Sequence, residues 1–378
     1  MTRPRATFIY SPELEKIAYP DSCPFDTRRP GMVRKNVLSM GLLSGPDRRE
    51  YPPRPATREE MERFHHPEYL EALRRAGEGR VERDAYRMGL NTLDCPVFAG
   101  VYEYSALAGG ASIVGAELIL EGETDVAFNP SGGFHHAMPR SASGFCYIND
   151  VVLAAMTLAS AGKRVAILDV DVHHCDGVQH AFYARKDVLT VSLHESGHTL
   201  FPGTGFVDEI GTGEGEGYTV NIPLPVGTYD QVYWEAFDRA VVPLLTAYDP
   251  DVIMMELGMD ALAGDPLAHL HLTNNVHADI IGRVLEFGKP VLATGGGGYH
   301  VENTVRGWAL AWSVLCGSQV HDMGVGVGGV LLETTEWGGG LRDRVLLSDA
   351  GRRAQVDRAV HAAIDQVRTL IFPYHNLT

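Results

Sequence analysis

Short apolar runs alternate with longer amphipathic stretches along almost the whole chain. The runs Thr7–Tyr10, Asp125–Phe128, Val165–Val172, Val188–Leu193, Tyr218–Ile222, Val252–Glu256 and Pro290–Ala293 predict strands. Several are continuously apolar, the pattern of strands covered on both faces. Between them, amphipathic patterning predicts helices over Tyr102–Leu120, Ile148–Ala161, Tyr229–Tyr248, Val276–Phe287 and Val301–Cys316, with Gly162 stopping the second. Thr57, Arg58, Glu59 and Glu60 form a capping box that opens a further helix, and Gly77 closes the next. Such alternation predicts an α/β fold with a mostly parallel sheet between two helical layers. No repeat and no Pro-, Gly- or Ser-rich linker divides the chain, so one three-layer α/β/α domain over residues 1–378 is expected. The Gly-rich stretch Met323–Gly340 reads as a surface excursion rather than a hinge.

Four polar, Gly-containing segments follow predicted strands, where an open α/β sheet builds its site. The most informative runs from Val165 to Gly177. In an extended strand Asp169, Asp171 and His173 would share a face, with Val170 and Val172 on the other. Carboxylate and imidazole at that spacing suit a divalent metal. The alternative is an acidic strand end satisfied by backbone amides, but an isolated buried carboxylate costs several kcal/mol unless it is paired or metal-bound. The second segment holds Ser131, Gly132, Gly133, Phe134, His135 and His136, then Ser143 to Tyr147. Paired histidines there can serve as a general base and its electrostatic partner, or be a surface pair. The third places Asp260 just past Val252–Glu256, as a third metal ligand or a carboxylate capping backbone amides, while Asp265 before Pro266 reads as a turn residue. The fourth, Gly295 to Tyr299, lets the backbone approach a ligand and offers the Tyr299 hydroxyl to a developing oxyanion. It is no nucleotide loop: the GxGxxG register meets His300 at its third glycine, and no Walker lysine follows.

At 378 residues, 45% hydrophobic and 21% charged, the chain has the composition of an ordinary soluble globular protein. Its net charge of -16 argues against nucleic acid or an anionic membrane surface as partner, while a cationic substrate would be drawn to it. The five cysteines Cys23, Cys95, Cys146, Cys175 and Cys316 form no CxxC pair, which reads as a reducing compartment. The N-terminus lacks the apolar stretch of a signal peptide and no window suits a membrane span. A cytoplasmic location is expected.

Together these segments resemble the histone deacetylase superfamily, in particular its bacterial acetoin-utilisation-type members, related in fold to arginase. The motifs SGGFHHA, SGFCYIND, DVDVHHCDG, TVSLHESG with FPGTG, GMDALAGDP and GGGGY stand in the family's order between about Ala6 and Trp312. The resemblance implies zinc held by Asp171, His173 and Asp260, a set that would also take Fe2+, Co2+ or Mn2+. It implies His135 and His136 as the catalytic pair, oriented by Asp169 and Asp176 respectively, with Tyr299 completing the site. Asp94 matches a rim carboxylate that holds the substrate backbone, and Gly144, Phe145 and Phe201 match the walls of a narrow acyl-lysine tunnel. Leu267 stands where polyamine-preferring relatives carry an acidic gatekeeper. Structural K+ or Na+ is implied at two sites: Asp169, Asp171, His173, Ser192 and Leu193 match one, and Phe182, Arg185, Val188 and Tyr218 the other.

Two positions depart from the family pattern. Cys175 replaces a glycine, as a polarisable group near the metal, a site of oxidation or a small buried filler; the usual packing of free cysteine favours the filler. Cys23 replaces a histidine before Pro24, which leaves open whether Arg28 or Arg29 lines the acetate-exit region. The activity expected is metal-dependent hydrolysis of acetyl-lysine in a protein, such as an acyl-CoA synthetase. The alternatives are a small-molecule metalloamidase acting on acetylpolyamines and a non-catalytic acyl-lysine binding protein. Sequence gives no oligomeric state.

Overall fold

The side chains of the central apolar runs divide between two helical layers. In the run Val165–Asp169, Val165 and Ile167 pack into one apolar cluster and Ala166 and Leu168 into another. The computed structural model describes residues 4–318, 340–346 and 350–378. Among these, eight strands form one sheet: β1 (Ala6–Ile9), β2 (Arg48–Tyr51), β3 (Val126–Asn129), β4 (Val165–Asp169), β5 (Val188–Glu195), β6 (Thr219–Leu224), β7 (Val252–Glu256) and β8 (Val291–Thr294). Every pairing is parallel, in the order β2-β1-β3-β8-β7-β4-β5-β6.

Helices Val101–Leu120, Asp150–Ser160 and Asp176–Phe182 cover the face that carries Ile9, Ala127, Ile167 and Met254. Helices Arg29–Ser39, Asn274–Leu285, Val301–Leu315 and Ala350–Ile371 pack with the opposite face, around Phe8, Phe128, Leu168 and Trp312. A third cluster, with Tyr19, Tyr69, Tyr104, Phe134 and Tyr147, lies among the N-terminal helices.

Thr57 closes its capping box, accepting from the Glu60 N–H while Glu60 accepts from the Thr57 N–H. The helix expected over Tyr229–Tyr248 runs from Asp230, with a π-helical segment at Phe237–Val241. The seven predicted strands are all present, with ends shifted by up to three residues. The largest shift is in β4, which stops at Asp169 rather than Val172. The excursion expected at Met323–Gly340 lies, but for Gly340, outside the described residues.

The strand order places the site. Having formed β1–β3, the chain leaves a gap, builds β4–β6 beyond it, and returns to fill the gap with β7 and β8. Strands β3, β8, β7 and β4 therefore lie side by side, and their carboxyl ends carry the four polar segments. In register across this end of the sheet stand Asn129, Thr294, Glu256, Asp169, Ser192 and Asn221, a row of buried polar side chains.

Candidate functional site

Beyond Asp169 the chain turns on its own carboxylates. Asp169 Oδ1 accepts the Asp171 N–H at 3.1 Å, and Asp171 Oδ1 accepts the His173 N–H at 2.8 Å. These two side-chain-closed turns end the strand where Val170 N–H meets the carbonyl of Glu256. The shared strand face expected for Asp169, Asp171 and His173 is thus replaced by turns, which still bring all three into one buried site.

His173 Nδ1 lies 3.0 Å from Asp171 Oδ1 and 3.0 Å from Asp260 Oδ2. A tetrahedral site with bonds of about 2 Å has edges of roughly 3.3 Å, so these atoms are spaced to share one cation. The other carboxylate oxygens are fixed from behind: Asp171 Oδ2 by the Gly297 N–H at 2.8 Å and Asp260 Oδ1 by the Val172 N–H at 3.0 Å. Asp260 Oδ2 is buried with no hydrogen-bond partner among the described residues. An Asp, His, Asp donor set with one orphaned oxygen fits a divalent metal. Burial alone would lower the His173 imidazole, but Asp171 and Asp260 outweigh it and hold it up to about 10. A proton and a cation would compete for the same atom.

The histidine pair lies beside this set. His135 Nδ1–H donates to Asp169 Oδ2 at 2.9 Å, and His136 Nδ1–H donates to Asp176 Oδ1 at 2.7 Å. The two Nε2 atoms are 3.0 Å apart. Burial lowers His135, but Asp169 and Asp171 overcome it and raise the ring to about 9. Burial, then the charge on His135, lowers His136 to about 4 despite Asp176. One proton assignment satisfies both rings: charged His135 donates from Nε2 to the free Nε2 of neutral His136. This is no exposed pair, since both rings are buried.

Tyr299 enters from the glycine segment after β8. Its ring meets Phe145 edge-on at 5.6 Å, and its hydroxyl makes no hydrogen bond to a described residue. Burial, with Asp260 and Asp171 nearby, pushes the phenol well above its usual range, so it remains a donor. Gly144 has φ +52, and a Cβ there would lie 2.5 Å from the His136 ring and 3.0 Å from Phe201. Phe201 packs edge-on against His136 at 5.0 Å with 44% of its surface exposed, so the histidine pair is walled on its open side. Asp94 Oδ2 accepts the Gly144 N–H at 3.2 Å, joining the rim loop to that wall. Leu267 is half-buried on the loop between β7 and helix Asn274–Leu285.

The residues matched to monovalent cations also gather in two places. Ser192 pairs with Asp169 in the sheet, its Oγ 2.8 Å from His194 Nδ1, and the Leu193 carbonyl lies 3.5 Å from the Tyr233 hydroxyl. At the other place the Phe182 carbonyl accepts the Arg185 N–H and the Tyr218 carbonyl the Thr190 N–H, with Val188 beginning β5 between them.

Sequence reasoning missed several groups here. Glu256 is fully buried at the end of β7, with Oε1 unpartnered, and burial beside Asp169 and Asp171 pushes its carboxyl well above the usual range. Its position at the end of a continuous apolar run was the available signal. Asp265 is more than a turn residue: besides the Leu267 N–H, it accepts the Tyr299 N–H at 2.7 Å. Of the two arginines, Arg28 is exposed and paired with Asp26. Arg29 is buried, lies against Phe25 and Trp308, and donates to the carbonyls of Gly298 and Gly296 at 2.7 and 3.0 Å. Cys175 is buried in the apolar cluster that also holds Val178, Phe182 and Ile167, and burial, with Asp169 near, pushes its thiol well above the usual range.

Residues 23–315 match the family model described as histone deacetylase domain. The chain is 38% identical over 314 residues to Histone deacetylase RPD3 of Saccharomyces cerevisiae, covering 82% of this chain and 72% of that one. It is 39% identical over 292 residues to Histone deacetylase 8 of Xenopus tropicalis, covering 77% and 78%. Among solved structures, a crystal structure of an HDAC homologue from Aquifex aeolicus superposes with a TM-score of 0.84 at 32% identity, covering 95% of this chain and all of that one.

Proposed function

The chain belongs to the histone deacetylase family and is a deacetylase hydrolase, and from that premise we propose that it removes acetyl groups from lysine side chains of proteins with zinc as cofactor. The observation that carries the reading is the convergence of His173 Nδ1, Asp171 Oδ1 and Asp260 Oδ2 beside two His–Asp pairs. Zinc held there would polarise the amide carbonyl and lower the pKa of a bound water. His136, neutral, takes the proton of the attacking water on Nε2 once the His135 Nε2–H turns from that lone pair to the incoming substrate, and returns it to the departing lysine amine. Asp176 keeps that ring in the Nδ1–H tautomer throughout. His135, charged and held by Asp169, stabilises negative charge developing beside it. The Tyr299 phenol donates to the carbonyl oxygen as it becomes an oxyanion. Gly144, Phe145 and Phe201 flank the aliphatic stem, Asp94 takes the substrate backbone, and Arg29 lines the way out for acetate. Iron(II), cobalt and manganese suit the same donors. Potassium or sodium at the two cation places would stiffen the loop ends.

Leu267 supports a neutral acyl-lysine stem over a charged polyamine, because an ammonium against leucine is poorly solvated. The likeness to acetoin-utilisation-type members favours a cytoplasmic metabolic enzyme, such as an acyl-CoA synthetase, as target. The test is acetate release from an acetyl-lysine peptide by metal-stripped protein, before and after one equivalent of zinc. Restored release is expected. Faster turnover of acetylspermidine than of the peptide would make the enzyme a small-molecule amidase. Tight peptide binding without acetate release would make it a binding protein.

A further inference from the structure

Asn149 and Asp150 end the sequence motif SGFCYIND, and the mechanism above gives them no part. Both are fully buried at the start of helix Asp150–Ser160. The Asp150 carboxylate accepts the Gly133 N–H at 3.0 Å, the Phe134 N–H at 2.7 Å and the Ser112 hydroxyl at 2.6 Å. The Asn149 side-chain amide donates to the carbonyl of His135 at 3.0 Å and to that of Ala137 at 3.1 Å. Its Oδ1 meanwhile caps the helix by accepting the Val152 N–H at 3.0 Å. Two adjacent side chains therefore grip the backbone before, at and after the histidine pair, one by its N–H groups and the other by its carbonyls.

Two glycines permit the grip. A Cβ on Gly132 would lie 2.2 Å from Asp150 Oδ2, and a Cβ on Gly177 would lie 2.5 Å from the His135 carbonyl and 2.8 Å from Asn149 Nδ2. Gly177 directly follows Asp176, the partner of His136, so the same close approach sets the distance between ring and carboxylate.

We propose that Asn149 and Asp150 are positioning residues that set the His135–His136 rings against Asp169 and Asp176, acting on proton transfer rather than on metal binding. The metal donors lie on other loops, after β4 and β7, so metal affinity is independent of the grip. A reacting group displaced by about 1 Å can lose on the order of 100-fold in rate. The inference rests on the deacetylase reading for its kinetic arm only.

The variants are Asn149→Ser, which keeps a helix-capping oxygen but loses the amide NH2 that serves both carbonyls, its single shorter hydroxyl being unable to replace the two bonds, and Asp150→Asn, which keeps one acceptor. Both are expected to bind one zinc like the parent and to lose about 10- to 100-fold in kcat, with KM within about twofold. In a His136→Ala background, Asn149→Ser should change kcat by less than about twofold, because the two act through one group. The second arm is independent of turnover: the downfield ring N–H protons of His135 and His136 in NMR should shift or broaden in the variants. Unchanged kcat and unchanged ring protons in folded, zinc-loaded variants would overturn the proposal. So would a rate loss that merely tracks the unfolded fraction or zinc loss. If Asp150→Asn does not fold, Asn149→Ser decides alone. A parent protein that never releases acetate would defeat the deacetylase reading, while the ring protons would still decide the positioning one.

Discussion

His65 shows how far single groups in this fold are committed to one protonation state. Its Nδ1–H donates to the Met138 carbonyl at 3.0 Å, while Nε2 accepts the Asn149 N–H at 2.9 Å. A second proton would set N–H against N–H, and burial lowers the ring to about 3. The folded value lies below the ordinary one near 6.5, so the unfolded chain takes up the proton first. The stabilisation is full above about pH 6.5 and declines as pH falls towards 3, by up to about 1.4 kcal/mol per pH unit. Urea unfolding at pH 6, 5 and 4 should therefore show a shallower loss of stability for His65→Gln than for the parent; equal slopes would refute this. Tyr299 is the opposite case, a group with an unused bond. Its hydroxyl leaves no described partner unsatisfied when removed, so Tyr299→Phe should melt within a few degrees of the parent. Its kcat should fall by about 10²–10³, the usual loss for one oxyanion donor. Wild-type turnover in that variant would remove Tyr299 from the mechanism.

Elements were legible where pattern and burial agree. The apolar runs of β3, β4, β5, β7 and β8 are covered on both faces, so their composition announces them. Strand β2, Arg48-Arg49-Glu50-Tyr51, was missed because it is a polar edge strand. Helix Ala350–Ile371 was missed too, although Val356, Val360, Ile364, Val367 and Ile371 form a buried stripe. That stripe packs along β6 and helix Asp230–Ala236, far in sequence from the motifs that drew attention. Ile364→Ala should cost about 2–5 kcal/mol, the usual range for a buried aliphatic truncated to alanine. Denaturant unfolding would measure it, and kcat of the folded fraction should be unchanged because the helix touches no site residue named here. A stability within about 0.5 kcal/mol of the parent would show that the stripe is dispensable.

Over the whole molecule, a net charge of -16 sets the field in which substrates arrive. Peptides with lysine or arginine beside the acetyl-lysine should be steered to it. Raising ionic strength from about 0.1 to 1 M shortens the screening length from about 10 to 3 Å. Over that range kcat/KM for a basic-flanked peptide should fall several-fold more than for a neutral-flanked one; equal salt dependence would exclude steering. The sequence by itself determined the layers of the fold and the candidate donors, because side-chain period and residue type are local properties. Spacing alone left His135 and His136 open between a catalytic and a surface pair, and Asp260 between ligand and cap; the family resemblance supplied their partners. Only the tertiary structure decided that Arg29 rather than Arg28 reaches the glycine segment, that Asp265 holds the Tyr299 backbone, and that Asn149 and Asp150 grip the histidine loop. The Arg29 and Asp265 contacts join segments that follow different strands and are brought together by the order β1-β3-β8-β7, which no local period encodes, while the Asn149–Asp150 grip folds the one connection between β3 and β4 back on itself.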